Sequence, residues 1–261
     1  MSSEILDAYW RIPPFTRTFV TATLVISIGI HFGFLPYVWF YYSTWRLFRL
    51  LPEIWRPFTS FCLTGPQIGI IFDTYWLYQY LVQLETANPR LPRKEDVLWY
   101  LLVVGSTIIA LNQYFTGWSF FLHGLIIALC YTSVQDQRGQ KANFFFFTVP
   151  AQAMPYCMLL SSLLMNPAII PLQLTGIVAA HLFDFLTRIY PEFSGGPNLL
   201  PAPAFLSYFV QTPRLIRRDY GTAIRPRTGA EPSTGSTTGA SGSVLPESWK
   251  TRGAGHRLGG D

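Results

Sequence analysis

Charge is what this chain has least of. Only 13% of its 261 residues are Asp, Glu, Lys or Arg, against 50% hydrophobic. The charges gather at the two ends and in short connections, leaving long uncharged runs between them. A water-soluble domain needs a far more charged surface, so that class is excluded. Cysteine is scarce too. Cys62, Cys130 and Cys157 all fall inside apolar runs, which excludes a disulfide framework and reads as small buried residues. No Asn-x-Ser/Thr sequon is present, so glycosylation gives no clue to orientation. The leader Met1–Pro14 has neither the basic stretch nor the small-residue cleavage site of a signal peptide, and is read as a polar segment before an uncleaved first span. No inverted repeat or pair of broken helices marks a small-solute transporter. No metal, cofactor or nucleic-acid partner is expected.

What the chain has in quantity is aromatic and aliphatic side chains, with 21 Phe, 14 Tyr and 8 Trp. A bilayer core takes about 20 apolar residues per helix, and helices satisfy their own backbone hydrogen bonds there. The fold class expected is therefore an all-α membrane protein with six transmembrane helices. The spans are placed at Thr18–Tyr37, Phe58–Leu84, Val97–Gln113, Trp118–Val134, Phe144–Met165 and Ile169–Leu186. The fourth is short, about 25 Å against a hydrocarbon core of about 30 Å, and short spans thin the lipid around them.

Of the 19 Lys and Arg, only Arg46, Arg49 and Arg56 fall between spans one and two, the other loops on that side being bare. The positive-inside rule then puts both termini in the cytosol, as an even number of spans requires. The segment Pro36–Pro57 carries Trp39, Tyr41, Tyr42, Trp45, Phe48 and Trp55 beside those three Arg, which suits the non-cytosolic interface. Residues 1–190 are expected to form one membrane domain. Residues 191–220 read as an interfacial segment with a short helix at 204–210, followed by Arg214, Arg217 and Arg218 at headgroup level. Residues 221–261, rich in Gly, Ser, Thr and Pro, read as a disordered tail.

Several short strings carry a resemblance. Ile12-Pro13-Pro14-Phe15-Thr16-Arg17, Trp55-Arg56, Gly65-Pro66, Tyr78-Gln79-Tyr80, Leu84-Glu85 and the stretch from Gly176 to Tyr190-Pro191 resemble the derlins. Derlins are six-span pseudoproteases of the rhomboid fold that assist retrotranslocation in endoplasmic-reticulum-associated degradation. The resemblance thus implies a rhomboid-like bundle in the endoplasmic reticulum membrane, with a thinned bilayer and a lateral gate. It implies misfolded proteins as clients and a membrane ubiquitin ligase as companion, and it is compatible with a homo-oligomer. In the tail, Gly253, Gly255, Arg257, Leu258 and Gly259 resemble the SHP box that recruits the AAA ATPase valosin-containing protein. Glycines let an extended backbone lie close to a partner, Leu258 fills a pocket and Arg257 supplies charge. The aromatic that often precedes the first glycine by two residues is replaced by Thr251, with Trp249 nearby.

The resemblance implies no enzyme. The competing class is an intramembrane serine protease, which needs Ser in Gly-x-Ser-Gly on span four and His on span six within proton-transfer reach. Gly239-Ala240-Ser241-Gly242 matches the string but lies in the tail, where nothing positions a base. At the expected place stands Gly117-Trp118-Ser119-Phe120, with Phe for the second glycine. His181 occupies the rhomboid-like position on span six, and is read as a hydrogen-bonded residue of the bundle interior if there is no protease. Span two offers no His or Asn to hold an oxyanion. Gly176 and Ala180 form a small-x-x-x-small pair that lets helices approach. Trp55 and Arg56 are expected to hold the loop after span one. Gln67, Asp73, Gln79 and Gln152 are intramembrane polar residues, costly in lipid and read together as the lining of a hydrated groove.

Overall fold

Proline and glycine cut the apolar chain into its elements. Ser2–Arg11 forms α1, and Pro14, well placed in a first turn that needs no amide hydrogen, opens α2, Pro14–His31. Gly33 at φ +79° ends it and turns the chain. Two short helices follow, α3 (Thr44–Leu47) and α4 (Arg56–Thr59). Then come α5 (Ile68–Thr86), α6 (Lys94–Phe115) and α7 (Leu122–Val134). A hairpin of β1 (Lys141–Phe144) and β2 (Phe147–Pro150) precedes α8 (Met154–Met165). Last are α9 (Ile170–Asp184), a π-helical turn at Phe185–Ile189 and α10 (Tyr190–Ser194). The computed structural model describes residues 2–206 except 48–52, 87, 89, 90, 138, 145, 146, 196 and 197, all within the unit Met1–Pro213.

The centre of the bundle is α7. It is apolar on every side, and eleven of its 13 residues are buried, as fits a helix with neighbours all round. It packs against α5, α6, α8 and α9, while α2 leans on α5, and α9 also packs on α6. At about 20 Å it is even shorter than expected. So enclosed, it cannot set the thickness of surrounding lipid. The short helix that does face outward is α8, where Leu160, Leu163, Leu164 and Met165 are exposed.

Among the described residues, two helices are long and apolar enough by themselves to cross a membrane, Lys94–Phe115 and the continuous Pro167–Ser194. Only 33% and 44% of their apolar windows are buried, so most of that surface faces outward. Apolar area so displayed needs lipid rather than water.

Four expected spans are redrawn. The first was expected from Thr18 to Tyr37, but α2 runs from Pro14 to His31 and the chain turns at Gly33. The second was expected from Phe58, but α5 starts at Ile68. Pro66 steers Gly65 away from helical angles, and Gln67 takes φ +54°. The fifth was expected to be helical from Phe144, yet 141–150 is a hairpin paired Lys141↔Pro150, Ala142↔Val149, Asn143↔Thr148 and Phe144↔Phe147. Phe, Thr and Val favour a strand, and Pro150 supplies no amide for a helix interior. The sixth was expected to stop at Leu186 but continues through the π turn to Ser194. The interfacial helix expected at 204–210 lies mostly outside the described residues, as do Arg214, Arg217, Arg218 and the tail.

Candidate functional site

The chain after α2 is tied down by one buried guanidinium. Arg56, 2% exposed, donates from Nη1 to the carbonyls of Val38 at 2.9 Å and Tyr41 at 2.7 Å. Its Nε pairs with Glu53, and its guanidinium lies over the Tyr41 ring at 5.2 Å. Trp55 beside it is exposed. Of the expected pair, Arg56 does the anchoring, while Trp55 is an outward-facing aromatic. The anchored loop then closes on the start of α7. Tyr42 N–H donates to Ser119 O at 2.9 Å, and Phe121 N–H to Ser60 O at 3.0 Å. Asn112, fully buried, donates to Trp118 O at 2.6 Å and accepts from Trp118 N–H at 3.1 Å. Ser119 is thus held by its backbone within a loop-to-helix junction.

His181 is elsewhere. It is exposed, contrary to the expected interior position, and its Nδ1 meets the Tyr131 hydroxyl at 3.1 Å. Ser119 precedes the first residue of α7, whereas Tyr131 is nine steps along it, about 14 Å. A proton-transfer pair needs about 3 Å. The structure does not bring Ser119 and His181 together.

Gly176, by contrast, sits at the tightest helix crossing. A Cβ there would stand 2.1 Å from the carbonyl oxygen of Gly124 and 2.9 Å from Cγ2 of Ile127. Ala180, one turn on, is buried. The partner glycine on α7 was missed by sequence reasoning, although Gly124-x-x-x-Ala128 has the same small-residue spacing as Gly176-x-x-x-Ala180.

The four polar residues do not form one group. Asp73, on the first turns of α5, accepts from Gly65 N–H at 2.7 Å and lies 3.2 Å from His123 Nε2 at the start of α7. Gln67 is exposed just before α5. Gln79 is also exposed, but six residues beyond Asp73 it points about 240° around the helix from it. Gln152 belongs to the far end of α7. There, with Tyr131, Gln135, Asp136, Tyr156 and Arg188, it lines a cavity of about 400 Å³ between α7, α8 and the π turn. Arg188 pairs with Asp184 at 3.3 Å, the helical ion pair its i, i+4 spacing predicts. His123, placed against Asp73 by the fold, is the polar partner that sequence reasoning did not assign.

Two motifs meet that sequence reasoning left without a role. Glu85, ending α5, accepts from Thr16 N–H at 2.9 Å and Thr16 Oγ1 at 2.8 Å, and from Phe15 N–H at 3.4 Å. A carboxylate there satisfies the open amides and positive dipole end of α2. Pro14 and Thr16 on one helix and Leu84-Glu85 on the other are thus two halves of one cap.

The comparisons with known proteins bear on this arrangement. A profile of the Der1-like family matches residues 12–204, which contain every contact just described. The chain belongs to the Der1-like family. Derlin-1 of Mus musculus is 30% identical over 210 residues, covering 78% of this chain and 82% of that protein. Derlin-1 of Homo sapiens is likewise 30% identical over 210 residues. Derlin-1 of Arabidopsis thaliana is 27% identical over 215 residues, covering 78% of this chain and 76% of that one. Family and outward-facing apolar helices together make this derlin relative a transmembrane protein. The Gly253–Gly259 peptide lies outside the described residues and beyond the matched range.

Proposed function

We propose that this chain is a non-catalytic derlin of the endoplasmic reticulum membrane that helps misfolded proteins pass from lumen or membrane to the cytosol. Six spans, with both termini cytosolic, would be supplied by α2, α5, α6, α7, α8 and the α9–α10 helix. The observation that carries the reading is family membership across 12–204 combined with Ser119 standing before the start of α7 while His181 meets Tyr131, about 14 Å along that helix from its first residue. Such a body has the protease-like bundle without its working pair. The polar cavity at Gln152, Asp136 and Arg188 supports a hydrated route, and the short, outward-facing α8 supports local thinning of lipid. Arg56 keeps the luminal loop folded over the top of α7.

Force would come from the AAA ATPase valosin-containing protein, gathered by Gly253, Gly255, Arg257, Leu258 and Gly259. A membrane ubiquitin ligase would mark the emerging client. Self-association of the chain is compatible with this role. The test is pull-down of that ATPase, with turnover of a misfolded client, for wild type and for Arg257→Ala with Leu258→Ala. ATPase binding and turnover are expected to fall together in the variant. Ser119→Ala is expected to leave turnover unchanged. Loss of client cleavage in Ser119→Ala would restore the protease reading, and ATPase binding unaltered in the tail variant would overturn the coupling.

A further inference from the structure

The hairpin between α7 and α8 stands where a helix was expected, and one aromatic contact sets its level along α5. Phe144 stacks on Trp76 of α5, centroids 5.5 Å apart and planes at 17°. Trp76 lies about 12 Å from one end of α5 and about 15 Å from the other. β1 also rests against α8, while α5 packs on α2 and α7, and α8 on α7 and α9. If α5 spans the bilayer, as proposed above, the hairpin re-enters to its middle between α5 and α8. Strand edges are unwelcome at that depth, because lipid offers no partner for open backbone groups.

The register says which groups are open. Ala151 N–H donates to Gln140 O at 2.9 Å, which makes 140 and 151 a hydrogen-bonded pair. In an antiparallel ladder such pairs alternate, so Ala142↔Val149 and Phe144↔Phe147 bond across the hairpin, and Lys141↔Pro150 and Asn143↔Thr148 do not. The N–H and C=O groups of Lys141, Asn143 and Thr148 therefore point out from the two edges. No further strand pairs with either edge among the described residues. The β2 edge is blunted, since Pro150 has no N–H. The β1 edge keeps two donors and two acceptors, repeating at about 7 Å. Lys141 and Asn143 are exposed, while Ala142, Phe144 and Val149 pack inward on the core.

We propose that the β1 edge is a client-binding site, taking an extended polypeptide segment as a third strand through the backbone of Lys141 and Asn143. The inference rests on the retrotranslocation reading and gives it a means of recognition. An extended backbone alone offers donors and acceptors at the same repeat. It does so whatever its side chains, as clients of unrelated sequence require. It also satisfies groups that lipid cannot, on both partners at once.

The test replaces the exposed Phe147 with photoreactive p-benzoylphenylalanine and measures its cross-link to a defined membrane reporter carrying an unfolded luminal segment. Asn143→Pro deletes one outward N–H and obstructs the edge while sparing every backbone hydrogen bond inside the hairpin; the side-chain bond from Thr148 Oγ1 to Asn143 Oδ1 is lost equally in Asn143→Ala. It is expected to lower the adduct about tenfold. Asn143→Ala keeps the N–H and is expected to leave the adduct unchanged. Thr148→Pro perturbs the opposite edge at the same level and is the control for hairpin folding, also expected to leave it unchanged. Adduct retained in Asn143→Pro overturns the inference, as does equal loss in Thr148→Pro or in Asn143→Ala. Reporter turnover is followed in parallel. If turnover requires the protein but wild type gives no adduct, strand addition is wrong and the retrotranslocation reading stands. If turnover does not require the protein, the reading itself falls and takes the inference with it.

Discussion

Replacing Gly176 with alanine should be the most damaging single-methyl change in the bundle. The new Cβ would lie 2.1 Å from Gly124 O, 2.9 Å from Gly124 C and 2.9 Å from Ile127 Cγ2. Ordinary contact begins near 3.4 Å, so α9 must retreat from α7 by roughly 1.3 Å. The obstacle is backbone, which cannot step aside as a side chain tip can. Overpacking a close-packed core costs about 1–3 kcal/mol, and a backbone clash belongs at the upper end. About 3 kcal/mol corresponds to a fall in Tm of roughly 6–12 °C for a chain of this size. Gly124→Ala is the internal comparison, because its Cβ would meet Leu172 O at 3.1 Å and needs a shift of only a few tenths of an ångström. It should cost less than about 1 kcal/mol. Cys130 gives the readout, being fully buried between the helices. With Cys62 and Cys157 changed to alanine, its labelling by a fluorogenic maleimide during a thermal ramp follows separation of the bundle. If Gly176→Ala melts within about 2 °C of wild type, or if Gly124→Ala falls as far, the crossing is not where the close approach is needed.

Two other contacts make separate predictions. Arg56→Ala removes a buried cation and strands its three partners, the Glu53 carboxylate and the carbonyls of Val38 and Tyr41. A loss of about 3–5 kcal/mol is expected, with the loop at residues 36–56 becoming sensitive to limited proteolysis, and Arg56→Lys should recover only part because it cannot reproduce the fork. Thr16→Val and Glu85→Gln should each cost about 1–2 kcal/mol, and the double variant should cost clearly less than their sum, measured as a thermal-stability cycle in one detergent. Simple additivity there would mean that the two motifs act independently, against the shared cap.

Much of the bundle was legible from composition and spacing, because lipid imposes one rule on all spanning segments: apolar side chains and internally paired backbone. Apolar run lengths located α6 and α7 closely, and the small-residue spacing pointed to Gly176 and Ala180. The Asp184–Arg188 pair followed from helical periodicity alone. Helix starts were harder to read. A hydropathy run does not see that Pro66 delays α5 or that Pro150 and the aromatic run before it favour a hairpin, since both segments are as apolar as a span.

What the sequence by itself determined is therefore class and composition: a helical transmembrane chain with derlin motifs, few charges and a polar tail. Each of these depends on local chemistry or on a period along one element. Which residues meet was decided by tertiary structure. It joined Thr16 to Glu85, set Gly124 under Gly176, turned Asp73 to His123 and drew Arg56 into the loop that closes over Ser119. It also parted Ser119 from His181 and dispersed the polar residues that looked like one lining. Such pairings depend on how helices distant in sequence are rotated and stacked against one another, and no spacing within a single helix carries that information.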